Sequence, residues 1–167
     1  MDEATFASLP RLVELDLSHN PELQLDSRGY AFRGMSESIR TLRLANLTQE
    51  VMPELHLPYL LDLSVAHNRL TSLGADLSSN LTSLRSLDLS FNQLTQIPLV
   101  TSALQNLRRL SLAGNHLHQL GNTSLLGGAE RLRQLDLRWL PLTHFEVRTE
   151  GVFSTTPVCF ISVDLSE

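Results

Sequence analysis

The chain has no lysine. Its 13 basic residues are all arginines, set against 18 acidic ones, for a formal net charge of −5. A net-acidic chain is repelled by a phosphate backbone or an anionic bilayer, which argues against nucleic acid and against the membrane surface itself as partners. Cysteine occurs once, as Cys159, so no disulfide can form within the chain, and a single thiol does not specify a compartment. Aromatic residues make up only 5%, so a core of large rings is excluded. No apolar run approaches the ~18–20 residues of a membrane span. The opening "MDEATFASLP" is acidic and carries no apolar h-region, so no signal peptide is visible in it.

Leucine fills the place of what is missing, at 37 of 167 residues, and it recurs in order. With Leu at positions 1, 4 and 6 and Asn at position 9, the chain reads "LVELDLSHN", "IRTLRLANL", "LLDLSVAHN", "LRSLDLSFN", "LRRLSLAGN" and "LRQLDLRWL". These segments start at 12, 39, 60, 84, 107 and 132, spaced by 27, 21, 24, 23 and 25 residues. Self-similarity at 20–29 residues is the signature of a leucine-rich-repeat solenoid.

Spacing dictates the local structure. Positions 4 and 6 are two apart and face the same side of a short strand, and this alternation of period two excludes amphipathic helices. Successive strands are expected to stack in parallel, with Leu87 and Leu89 over Leu110 and Leu112, because no coil can bury its leucines alone. At position 9 the chain leaves the strand, and a buried amide there can pair backbone groups that the corner exposes. Asn20, Asn68, Asn92 and Asn115 form the expected ladder, while Leu47 and Leu140 replace the amide, so those two corners must be looser or otherwise satisfied. The returns, such as "LTSLGADLSSNLTSL", read as irregular or short helical turns, and 21–38 is long enough to bulge outward. The expected fold is therefore an α/β repeat, a horseshoe solenoid with a parallel concave sheet and an irregular convex side.

The whole chain, 1–167, reads as one array of about six repeats. Residues 1–11 resemble the return of a preceding coil, and Val158, Ile161 and Val163 could open a partial seventh repeat within an atypical 151–167 tail. Without capping faces at either end, the expectation is an internal piece of a longer solenoid.

The segments "LDLSFNQLTQIP" and "TFASLPRLVELDLSHN" resemble the extracellular class of leucine-rich repeats with roughly 24 residues per coil. Within that class, "LPRLVELDLSHNPEL" and "LRRLSLAGNHLHQLGNTSLLGGAERLRQLDL" are similar to insect photoreceptor cell-adhesion proteins. The resemblance covers about residues 5–148. It implies a lipid-anchored glycoprotein at the extracellular face of the plasma membrane that mediates adhesion, with the anchor outside this chain. A ligand-binding ectodomain of an innate-immune or signalling receptor, and an intracellular repeat scaffold, remain the alternatives.

A partner is expected on the outward positions 2, 3, 5, 7 and 8 of the strands. The candidates are Asp16, His19, Arg40, Arg43, His67, Asp88, Phe91, Arg108, Arg109, Asp136 and Trp139. Their mixed signs suit a protein partner, a second copy of the chain included. Phe91 and Trp139 are the large rings at position 8, expected roughly 10 Å apart at ~4.8 Å per strand. Asp and His on one face could serve acid–base chemistry, but no motif sets a nucleophile beside them, so no catalytic residue is assigned. His116 and His118 alternate as two metal ligands might, yet a site needs three or four, and no metal or cofactor is assigned. Glycosylation sequons stand at Asn46, Asn80 and Asn122, the last two on convex returns and the first at the edge of the concave face.

Overall fold

The computed structural model describes residues 5–6, 8–120 and 131–143, together with the backbone of 160–162. Seven strands of three residues each form one parallel sheet in strict sequence order. They are β1 (Glu14–Asp16), β2 (Thr41–Arg43), β3 (Asp62–Ser64), β4 (Ser86–Asp88), β5 (Arg109–Ser111), β6 (Gln134–Asp136) and β7 (Phe160–Ser162). Each sits at positions 3–5 of its repeat, and the position-4 residues are paired from coil to coil: Leu15 with Leu42, Leu63, Leu87, Leu110, Leu135 and Ile161 in turn. The expected parallel stacking of leucine over leucine is what the molecule has.

The backbone ladder continues past the strands to position 8. Leu89 and Phe91 donate to the carbonyls of Ser111 and Ala113, and Val65 and His67 to those of Asp88 and Ser90. Inside, positions 1, 4 and 6 form a continuous core: Leu84, Leu87 and Leu89 are sealed from water, as are Leu107, Leu110 and Leu112. Burying one such side chain stabilises by about 1.5–3 kcal/mol, which makes the stack of coils the source of stability.

The corner amides behave as the spacing requires. Asn92 donates to the carbonyls of Leu89 and Ser90 in its own coil and of Val65 in the coil before, and its Oδ1 accepts from the Leu70 N–H. Asn68 and Asn115 repeat the arrangement. Asn20 differs: it is exposed and reaches only Leu17 and Ser18 of its own coil. Where Leu47 stands in for the amide, Gln49 Nε2 donates to the Leu23 carbonyl at 3.2 Å and Thr48 Oγ1 to that of Pro21. At the Leu140 corner the N–H and hydroxyl of Thr143 both meet the His118 carbonyl. At both corners other donors thus reach carbonyls of the preceding coil.

On the far side of the sheet, among the described residues, the returns hold one four-residue helix, α1 (Leu77–Asn80), and two 3-10 turns at Tyr30–Phe32 and Leu99–Ala103. The 21–38 return does not bulge into solvent as expected. Its Ala31, Phe32 and Met35 turn inward and are buried, with Phe32 stacked on Phe6. Gly29 makes this inward fold possible: it takes φ +62°, and a Cβ there would sit 1.8 Å from the Glu54 carbonyl oxygen.

Candidate protein-binding face

The sheet leaves positions 3 and 5 facing outward, and the backbone at position 8 has a distinctive geometry. His19, Asn46, His67, Phe91, Gly114 and Trp139 all adopt left-handed φ, between 54° and 63°. Glycine and asparagine take that region readily, whereas for Phe and Trp it costs of order 1–3 kcal/mol. The return is set by the ladder: each of these residues must both close the sheet and deliver position 9 inward.

One consequence is a column of rings. His67 stacks on Phe91 with centroids 4.4 Å apart and planes 9° from parallel. Phe91 and Trp139, two repeats apart, lie 5.5 Å centroid to centroid, about half the expected separation. Gly114 explains the correction. It occupies position 8 of the intervening coil with no side chain, and Phe91 leans over it so closely that a Cβ there would lie 2.5 Å from Phe91 Cδ1. Phe91 remains 37% and Trp139 54% exposed, so the rings cover each other without being covered. The column's other end is polar, with Asn46 Nδ2 3.2 Å from His19 Nδ1.

The carboxylates at position 5 do more than face water. Asp16, Asp88 and Asp136 each accept the N–H of position 7, from Ser18, Ser90 and Arg138, as Asx turns that fix the strand exit. The Ser18 N–H is the main reason Asp16 is held below the ordinary carboxylate value. Asp136 is lowered too, first by the Arg138 guanidinium, which meets both its oxygens at 2.9 and 2.7 Å. Arg138 also lies 5.0 Å from the centre of the Trp139 ring, which ties the carboxylate to the ring column. Neither Arg138 nor Gly114 stood among the candidates. Their signals were available, as an Arg two residues after Asp136 and as the single glycine at position 8.

The remaining candidates divide. Arg43 pairs with Glu14 across the first two strands, which raises its pKa, and Arg109 stands 3.9 Å from Asp62. Arg40 turns away from the centre of the face: it donates to the Glu37 and Ile39 carbonyls and lies over the Tyr59 ring. Arg108 is exposed. Thus the structure joins His67, Phe91 and Trp139 in one column, ties Asp136 to its Trp139 end through Arg138, and leaves Arg40 outside it. Of the sequons, Asn46 is exposed beside His19, Asn80 ends α1 half-buried with its Oδ1 3.1 Å from His56 Nδ1, and Asn122 lies outside the described residues. Among the described residues, no three His, Cys, Asp or Glu side chains gather as a metal site.

A leucine-rich-repeat family profile matches residues 58–117. The chain belongs to the leucine-rich-repeat family. It is 42% identical to chaoptin of Tribolium castaneum over 87% of its own length and 19% of that protein's, and 42% identical to chaoptin of Drosophila melanogaster over 11% of that longer relative. Human vasorin is 35% identical over 87% of this chain and 18% of the relative. The chain therefore spans about a fifth or less of these three proteins. Among solved structures, the fold matches Listeria monocytogenes InlP with a TM-score of 0.69, at 23% identity, over 92% of this chain and 39% of that one. A leucine-rich-repeat protein of Leptospira interrogans matches with a TM-score of 0.67, at 24% identity, over 86% and 35%.

Proposed function

We propose that this leucine-rich-repeat module mediates cell–cell adhesion at the extracellular face of the plasma membrane, docking a protein partner through the concave face. The observation that carries the reading is the ring column. Phe91 and Trp139 are held in a costly backbone conformation, packed against one another, and left open to solvent. Folding alone is served as well by Gly114 at the same position, so the rings answer to something besides the fold. Large rings are frequent anchors at the centre of interfaces, and an ordered guanidinium beside them supplies polar contacts at little further entropic cost. The likeness to chaoptin and the exposed sequon at Asn46 support an extracellular setting. Asp16, His19, Arg43, Asp88, Arg108 and Arg109 then form the polar rim, and a second copy of the chain is the first partner to test.

Cells that display the chain on a heterologous anchor should aggregate with one another, and Phe91→Arg with Trp139→Arg should abolish aggregation at normal surface level. Mixing displaying with bare cells tells whether both partners must carry the chain. Aggregation that survives the double change at normal expression overturns the concave-face reading. If wild-type cells do not aggregate but the displayed chain captures a soluble protein through the same two rings, a receptor ectodomain replaces adhesion as the function.

A further inference from the structure

The net charge of −5 hides a separation along the solenoid. Through residue 76 the sequence has six arginines against eleven carboxylates, whereas residues 77–143 have six arginines against three. In that second region the basic charge is concentrated at position 2, opposite the edge that holds the rings.

The backbone shows why position 2 projects outward. In each coil from the second to the sixth, the N–H groups of positions 2 and 3 both donate to the carbonyl of position 2 in the preceding coil, two residues opposing one. Such a bulge turns a side chain that strict alternation would send into the core. The position-2 residues therefore stand in direct hydrogen-bonded contact along the sheet: Arg133 N–H donates to the Arg108 carbonyl, and Arg108 N–H to that of Arg85, both at 2.8 Å. Three exposed arginines occupy neighbouring strands, ~4.8 Å apart per step. Arg109 lies beside them at position 3. Among the described residues, none of the three guanidiniums has an ion pair or side-chain hydrogen bond. The nearby carboxylates are turned elsewhere, Asp88 to Ser64 and Ser90, and Asp136 to Arg138. Like charges on adjacent strands cost stability, so an unpaired column of this kind calls for an external counter-charge.

We infer that Arg85, Arg108 and Arg133, with Arg109 beside them, form a strip that binds a linear sulfated polysaccharide. Guanidinium forks match tetrahedral oxyanions bidentately, and the column runs straight across the strands with no rim to close it, as an extended polymer requires. An acidic peptide strand fits less well, since its same-face side chains repeat every ~6.6 Å, out of step with the column, and its backbone would find no open strand edge there. A single-stranded nucleic acid would lack base-stacking platforms, because Phe91 and Trp139 stand at the opposite edge of the sheet. The strip excludes the rings and shares only Arg108 and Arg109 with the polar rim proposed around them, and it does not depend on the adhesion reading.

Binding of the 167-residue chain to immobilised heparin oligosaccharide tests it. Binding should persist near physiological salt, and log affinity should fall with log salt at a slope of about −2, by counterion release from three contacts at ~0.7 each. Arg85→Ser, Arg108→Ser and Arg133→Ser together should weaken binding at least tenfold and flatten that slope, with the far-UV circular dichroism spectrum unchanged. A charge-matched variant at Arg11, Arg28 and Arg69 should bind like the wild type. Desulfated heparin, tested on the unmutated chain, should not compete, so the proposal stays testable even if the triple variant misfolds. The strip is refuted if the folded triple variant binds within twofold of wild type, if the charge-matched variant loses as much, or if desulfated heparin, polyglutamate or an oligonucleotide competes as well as heparin.

Discussion

Residues 91 and 92 are neighbours in the chain and opposites in environment. Asn92 is 4% exposed, and both polar atoms of its amide are engaged within the solenoid. Phe91 is held at φ 54°, with its ring projecting into solvent. The same alternation runs along the column: position 9 closes each corner from within, while position 8 accepts the strain of closing it and is free to carry any side chain outward. Fold and recognition are thus separated by a single residue. Changes at position 9 should register in stability, and changes to the rings at position 8 in binding.

The largest effect is expected at the buried column. Asn92→Leu leaves the Leu70 N–H buried without its acceptor and removes one of two donors from each of the Val65, Leu89 and Ser90 carbonyls, and should destabilise by about 3 kcal/mol in urea unfolding. A change near zero would mean that the Leu47 solution, with flanking side chains taking over, is available at every corner. Next comes Gly114→Ala, which places a side chain at φ 63° against the Phe91 ring. It should cost roughly 2 kcal/mol and part Phe91 from Trp139, visible as an altered near-ultraviolet circular dichroism spectrum. Phe91→Gly should sharpen the contrast, since relief of backbone strain offsets the lost stacking. Stability is then expected to stay within ~1 kcal/mol of wild type while partner binding is lost. A large stability loss there would place Phe91 with the fold.

The smallest effect concerns pH. Asp136 titrates below its ordinary 3.8 because Arg138 and its own Asx turn favour the carboxylate. A lowered folded value means that the contribution is present above the unfolded pKa and is lost as pH falls below about 3.8. Asp136→Asn should therefore cost less than ~1 kcal/mol at pH 7, and the difference should shrink in melts as pH is lowered through 3.8. A gap that persists in acid would rule out the charge as its source.

Much of this is legible in the sequence. The register of Leu87 on Leu110 follows from period-two alternation at a regular interval, since a slip of one residue would expose the leucines. The role of Asn92 follows from placing an amide where an extended chain must turn. The inward fold of 21–38 was not legible, because burial of Phe32 and Met35 depends on one contact between Gly29 and Glu54, 25 residues away, and no periodicity marks it. The ring separation was missed for a related reason. Strand spacing sets where Cα atoms lie, but a ring at position 8 leans along the column when its neighbour is glycine. The Asx role of Asp16, Asp88 and Asp136 was concealed in the recurring "LDL" phrase, which reads as solvated until the position-7 N–H is seen to need a partner.

Trp139 is the only tryptophan in the chain, so its emission reports on the candidate face without labelling. The most direct measurement is acrylamide quenching of that emission with the chain tethered to lipid vesicles, before and after the vesicles adhere. If the ring column is the docking surface, quenching should fall sharply on adhesion and the emission should shift to shorter wavelength. Vesicles that adhere with quenching unchanged would show that Trp139 stays in water and that the concave face is not what binds.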